Sequence, residues 1–192
     1  MSPLIVTVLR SGGEYLPEHV YRLKKMLPGR MLYCLSDIRL NSSVVTISLK
    51  YDWAGWWSKM ELFRPDFVCD WFYVDLDTTI TGDISDMLNV GRTHMLSDFY
   101  RPERPASGLM YLTPDDRARV WNEWIKDPHG HMARAGTLGD QAFIRTVLGD
   151  GVARWQDTLP GQVVSYKVHC REDIPSDARV VCFHGKPRPW AL

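Results

Sequence analysis

Apolar and polar positions fall into blocks along the chain that read in turn as strands and helices. Leu4–Leu9, Leu-Ile-Val-Thr-Val-Leu, is an apolar run of the length of a buried strand, and Arg10-Ser11-Gly12-Gly13 breaks it. Between Tyr15 and Leu27 apolar residues stand at 16, 20, 23, 26 and 27, a helical spacing in which Pro17 suits the first turn. Pro28-Gly29 ends that helix and Met31–Leu35 resumes as a strand, so the opening reads β-α-β, the crossover unit of a parallel sheet.

Further along, Val44–Leu49 predicts a short edge strand and Ser58–Phe63 a short helix that stops before Pro65. Trp71–Val74 is a buried strand ending at Asp75, and Thr93–Leu96 and Leu109–Leu112 are two more. Asp115–Lys126 is amphipathic, with Pro114 and Asp115 suited to its first turn, and Asp140–Leu148 reads as another helix. Val163–Tyr166 and Arg179–Phe183 are late strands. Repeats and low-complexity tracts are absent from the sequence. The alternation predicts an α/β fold with a mostly parallel sheet, in which ligands gather at the carboxyl ends of strands. That rule groups Arg10–Gly13, Ser36-Asp37, Asp75–Asp77 and His184–Lys186 as candidates for one cleft.

Composition narrows the functions. Hydrophobic residues make up 45% and charged residues 24%, an ordinary globular balance that excludes wholesale disorder. Lys plus Arg is 23 and Asp plus Glu is 23, so the chain is formally neutral and lacks the cationic excess that duplex binding requires; no nucleic-acid partner is expected. No apolar run approaches the ~20 residues of a transmembrane helix. The segment Met1–Leu9 is short and closed by Arg10, unlike a signal peptide. Cys34, Cys69, Cys170 and Cys182 form no CxxC pair, which predicts reduced thiols and a cytoplasmic protein.

The sharpest chemistry is Asp75-Leu76-Asp77, placed where the apolar run Trp-Phe-Tyr-Val stops. Two carboxylates one residue apart can both approach a hard divalent cation, which prefers oxygen ligands and can bridge phosphates. At this Asp content roughly one to two Asp-x-Asp patterns arise by chance, so the strand-end context carries the weight. His184-Gly185-Lys186 follows Val180–Phe183 in the same way: an imidazole able to ligate metal, a glycine that lets backbone approach a phosphate, and a lysine that can neutralise one. Lys59, after Trp56-Trp57-Ser58, could reach the Asp pair or a sugar. Ser107-Gly108 offers a hydroxyl and a tight backbone at a strand start. Asp140 and Gln141 either open a helix, with Asp140 as its cap, or line a polar pocket.

In combination these stretches resemble the glycosyltransferases of GT-A fold, most closely the glycogenin-like family 8 group and its short bacterial and viral-type relatives. The matching segments are VTVLRSGGEYLPEHV, WWSKMELF, WFYVDLDTTITGDI, SGLMYL, LGDQAFI, VVSYK and VVCFHGKPRPW, in the family's order and over nearly the whole chain. The resemblance implies a single domain over residues 1–192, with a Rossmann-like, mostly parallel mixed central sheet flanked by helices. It implies a nucleotide-diphosphate sugar as donor, a glycan, lipid or protein as acceptor, and Mn²⁺ or Mg²⁺ as cofactor. Asp75, Asp77 and His184 take the metal-ligand positions, and Gly185 and Lys186 the diphosphate positions. Lys59, Leu9, Arg10, Tyr15 and Leu76 take the donor and nucleoside positions. Ser107, Gly108, Asp140 and Gln141 fall on the sugar side, the last two as the catalytic pair. The sequence departs from the pattern in two places: only Gly185 separates His184 from Lys186, and Ala106 stands where an Asn often precedes the Ser-Gly.

Two other readings compete. Val-Asp-Leu-Asp-Thr-Thr-Ile also resembles the first motif of haloacid-dehalogenase-type phosphatases, with Asp75 as nucleophile, Asp77 as general acid, Ser97 as the second motif and Mg²⁺ as aid. That motif normally follows the first strand, whereas here substantial α/β sequence precedes it. A non-catalytic nucleotide-sugar-binding module is the third reading.

Overall fold

In the computed structural model, residues 2–170 and 173–192 are described. The first strand, β1 (Leu4–Leu9), lies between β2 (Leu32–Ser36) and β4 (Trp71–Val74) and runs parallel to both, with Ile5 opposite Leu32 on one side and Phe72 on the other. Beyond β2 lies β3 (Val45–Ser48); beyond β4 come β7 (Pro105–Leu112), β6 (His94–Ser97) and the two-residue β8 (Ala153–Arg154). The order is β3-β2-β1-β4-β7-β6-β8, with β7 antiparallel to both neighbours. The remaining strands form a separate three-stranded sheet, β5 (Thr78–Ile80), β10 (Val180–Cys182) and β9 (Val163–Ser165), in the order β5-β10-β9.

Alternation along β4 splits the core into two layers, because successive side chains of a strand point to opposite faces. Phe72 and Val74 pack with Val20 and Leu23 of the helix α1 (Pro17–Lys25). Trp71 and Tyr73 pack on the other face with Trp57, with Val120 and Trp124 of α2 (Pro114–Trp124), and with Phe143 of α4 (Gly139–Leu148). Between α2 and α4 runs α3 (Pro128–Ala135), none of whose residues is buried.

The expected elements are present with shifted bounds, and some differ in kind. The segment around Lys59 is a 3₁₀ helix, Gly55–Phe63, longer than the predicted Ser58–Phe63. The strand expected from Leu109 begins at Pro105, so Ser107 and Gly108 lie within it rather than at its start. Tyr166 opens a helical turn instead of closing a strand. His184 comes after a strand of the small sheet, whereas Asp75 directly follows a strand of the large one. The link between the sheets is the Asp75–Asp77 segment itself. The Asp75 N–H donates to the Gly108 carbonyl (3.0 Å), the Thr78 N–H to the Asp75 carbonyl (3.1 Å), and the Phe183 N–H to the Asp77 carbonyl (3.2 Å). The two aspartates are thereby fixed from both sheets at once.

Candidate active site

Asp75 sits at the centre of a buried polar cluster. Lys59 Nζ lies 3.2 Å from Asp75 Oδ1 and 3.3 Å from Asp140 Oδ2. It is also 3.3 Å from Ser107 Oγ, which donates to Asp140 Oδ2 at 2.6 Å. The Tyr73 hydroxyl donates to the same oxygen, Asp75 Oδ1, while Lys59 Nζ also lies 3.4 Å from Oδ2. Burial opposes the charge on Lys59, but the Asp140 and Asp75 carboxylates outweigh it and the ammonium is held more firmly than usual. Asp140 is in the first turn of α4, yet no side-chain bond caps that helix; its carboxylate faces Lys59 and Ser107 instead. Close packing at Gly108 keeps the cluster compact, since a Cβ there would meet Asp75 Oδ2 at 3.2 Å.

Asp77 has different partners. Tyr15 donates its hydroxyl to Asp77 Oδ2 at 3.0 Å, and Arg188 Nη1 donates to the same oxygen. Arg188 also grips Glu14 through Nε (3.1 Å) and Nη2 (2.7 Å) and lies over the Tyr15 ring. Burial, and then the charge of Asp75, push the Asp77 carboxyl up to about 6 against the pull of Arg188. Burial likewise raises Asp75, despite Lys59.

His184 lines the same space. Its Nε2 is 2.6 Å from Ser165 Oγ, and its ring stacks on Phe99 at 5.4 Å between centroids, with Tyr100 edge-on. Burial, with help from the Lys167 charge, lowers its pKa. Asp75, Asp77, Ser107, Asp140, Gln141 and His184 all line one cavity of about 290 Å³. Across Lys59 and Asp75 lies a second cavity of about 430 Å³, walled by Arg10, Tyr15, Trp56, Leu76 and Arg188.

The other sequence candidates fall in varied places. The Leu9 side chain is in the core; alternation along β1 sends Val8, not Leu9, into the second cavity. Arg10 pairs with Asp52 and, at 3.8 Å, with Asp37. The carbonyls of Leu76 and Thr78 each accept from Arg22 Nη2, at 3.1 and 2.8 Å, which pins the turn after the aspartates to α1. Gly185 and Lys186 are exposed on the outer side of the tail. Sequence reasoning missed Arg188 and Tyr73. Tyr73 had a signal, because a residue two before Asp75 on a strand shares its face. Arg188 had only its place between Pro187 and Pro189, which stiffen the segment that delivers it.

Among the described residues, no group of three or more His, Cys, Asp or Glu side chains is arranged to hold a metal ion. Asp75 and Asp77 by themselves still suit a hard cation of the Mg²⁺ type. Such ions are commonly held by one or two carboxylates, the remaining positions being filled by water and substrate phosphates.

Among solved structures, the chain is similar to the glycosyltransferase GlyE of Streptococcus pneumoniae TIGR4, with a TM-score of 0.72 and 15% identity over 98% of this chain and 56% of GlyE. It is also similar to the galactosyltransferase LgtC in complex with donor and acceptor sugar analogs, with a TM-score of 0.63 and 10% identity over 97% of this chain and 88% of LgtC. The fold is the GT-A fold. The chain spans just over half the length of GlyE. Its sequence matches no protein-family model and no curated protein. Asp75 directly follows β4, not the first strand of the chain, which is where the phosphatase motif normally stands. No helix among the described residues is long and apolar enough to cross a membrane.

Proposed function

We propose that this chain is a glycosyltransferase, a single GT-A domain that moves a sugar from a UDP- or GDP-linked donor to an acceptor hydroxyl with the aid of Mn²⁺ or Mg²⁺. The observation that supports it best is the convergence of Asp75, Asp77, Lys59, Asp140 and Arg188 at the junction of the two sheets, with a cavity on either side. The second cavity, with Arg10, Tyr15 and Trp56, suits the nucleoside; the first, with Ser107, Asp140 and Gln141, suits the sugar. The diphosphate then lies over the aspartates between them.

In this reading Asp75 and Asp77 hold the cation, and His184 stands across the cavity as the further candidate ligand. A bound divalent ion supplies positive charge against the diphosphate. The chain's own residues do the rest. Lys59 fixes the positions of Asp75 and Asp140. Arg188 lies within reach of a diphosphate, with Gly185 and Lys186 farther out along the same tail, and these cations offset the negative charge that grows on the departing nucleoside diphosphate. Asp140 and Gln141 orient the sugar. The family 8 resemblance sets retention at the anomeric carbon as the expected outcome.

A thermal-shift panel of UDP- and GDP-sugars, with and without Mn²⁺, tests the reading. A ligand at a hundredfold excess over its Kd adds about 2.7 kcal/mol to the native state. A rise in Tm with at least one nucleotide sugar, larger in Mn²⁺, is expected. No rise with any of them in Mn²⁺ contradicts the proposal.

A further inference from the structure

Beyond the sugar side of the first cavity lies a recess that the donor does not need. Its volume is about 250 Å³, and Asp98, Tyr100 and Gln141 form a wall common to both spaces. Three arginines, Arg101, Arg104 and Arg145, surround it, together with Leu138. The chain as a whole carries no net charge, so three cations around one recess are a local concentration rather than a reflection of composition. Arg145 is held by Asp150 through two bonds, at 2.5 and 2.9 Å, and Arg104 Nε lies 3.3 Å from the exposed Glu103. Arg101 makes no ion pair among the described residues. Asp98 is the one acidic side chain in the lining.

The loop that carries these groups is built, not loose. Asp98 Oδ1 accepts from the N–H groups of Tyr100 (2.8 Å) and Arg101 (3.0 Å). The Asp98 N–H donates to the Arg104 carbonyl and the Arg104 N–H to the Arg101 carbonyl, both at 2.8 Å. This double closure holds Tyr100 out at 67% exposure beside His184. An exposed aromatic ring next to a cationic recess offers a stacking face and an anion site together.

We infer that this recess binds the acceptor, and that the acceptor is a saccharide carrying an anionic substituent, a carboxylate or a phosphate. The inference rests on the donor reading above, which puts the reacting sugar at Asp140 and Gln141. The acceptor must approach that sugar, and the recess opens from Gln141. Tyr100 covers a face of the acceptor ring, and Arg101 and Arg104 meet its charge.

The test is a binding titration of the intact protein with glucose, glucuronate, glucose 6-phosphate and inorganic phosphate, on the parent and on the double variant Arg101→Gln/Arg104→Gln. The charge-matched variant Arg119→Gln, on α2 outside the recess, serves as control, and thermal melting confirms that all three are folded. Both acidic sugars should bind the parent at least about tenfold more tightly than glucose, the scale of one charge-assisted contact. They should also bind more tightly than inorganic phosphate, and the preference should vanish in the double variant and persist in Arg119→Gln. Equal binding of the three sugars, absence of binding by either acidic sugar, or a preference that survives the double variant overturns the inference. Inorganic phosphate binding as well as glucose 6-phosphate overturns it too, since the recess is then a bare anion site. Release of nucleoside diphosphate from a donor sugar is measured separately, so failure of the donor reading shows there and failure of the acceptor inference shows in the titration.

Discussion

One residue separates Asp75 from Asp77, yet the cations that reach them come from parts of the molecule held in different ways. Lys59 sits on the 3₁₀ helix Gly55–Phe63, and that segment is stapled from beneath. Glu61, fully buried, accepts from the N–H groups of Lys50 (2.7 Å) and Tyr51 (2.9 Å) and pairs with Arg64 at 2.6 Å. Arg117 of α2 donates to the carbonyls of Leu62, Arg64, Phe67 and Cys69, with its guanidinium against Trp71. Arg188, by contrast, belongs to the chain's last residues. It is anchored by partly exposed Glu14, by the Tyr15 ring, and by Trp190 stacked on His19 at 3.6 Å between centroids. The difference assigns two roles. Lys59 is a fixed counter-charge that keeps Asp75 and Asp140 in place whether or not a ligand is present. In the proposed function Arg188 would be the exchangeable one, turning from Asp77 to a diphosphate if a divalent ion were held at that carboxylate.

Removing the staple should break this contrast most severely. Arg117→Met leaves four carbonyls, two of them buried and two half-buried, without their donor and should cost at least about 3 kcal/mol. For a chain of this size that is a fall in Tm of roughly 6–12 °C, read by calorimetry. A drop below about 2 °C would show that Arg117 does not hold the segment. Lys59→Met should lower turnover by about a hundredfold, because Asp75 and Asp140 lose their common cation and repel each other. Steady-state rates at saturating donor check this, and a change confined to KM would argue that Lys59 only aids binding.

The exchangeable cation should behave otherwise. Arg188→Ala should weaken nucleoside diphosphate binding by about tenfold while moving the ligand-free Tm by no more than about 3 °C. A large loss of stability without a loss of affinity would make Arg188 a structural clamp on Asp77 instead. The smallest effect belongs to Lys186→Ala, whose side chain is exposed. Affinity should fall about threefold, and a loss equal to that of Arg188→Ala would give the two residues equal shares of the diphosphate.

The same contrast explains what could be read from the sequence. Asp75 and Asp77 were legible because Trp71–Val74 is apolar without a break, and a buried strand has a defined end. The helix that carries Asp140 was also legible, but its role was not: Asp140 at a helix start looks like a cap until Ser107, from a distant strand, and Lys59, from the 3₁₀ helix, are seen to reach it. The small sheet was harder. Thr78–Ile80 is three residues long and mixed in polarity, too short for periodicity to show, and nothing local reveals that Val180–Cys182 pairs with it across about a hundred residues. Arg188 was hidden for a related reason. Its partners, Glu14, Tyr15 and Asp77, lie at sequence separations that only the folded tail closes.

In the proposed function the Asp75–Asp77 junction activates a nucleotide sugar. The most direct measurement is release of free nucleoside diphosphate from a panel of UDP- and GDP-sugars, in Mn²⁺ and in EDTA, for the parent and for Asp77→Asn. That variant should stay folded, and its ligand-free Tm should hold or rise, since it removes one of two carboxylates that repel each other. Release from at least one donor by the parent in Mn²⁺, its loss in EDTA, and a fall of about a hundredfold or more in Asp77→Asn are expected. Release that persists within about tenfold in Asp77→Asn, or no release from any donor by the parent, would contradict that function.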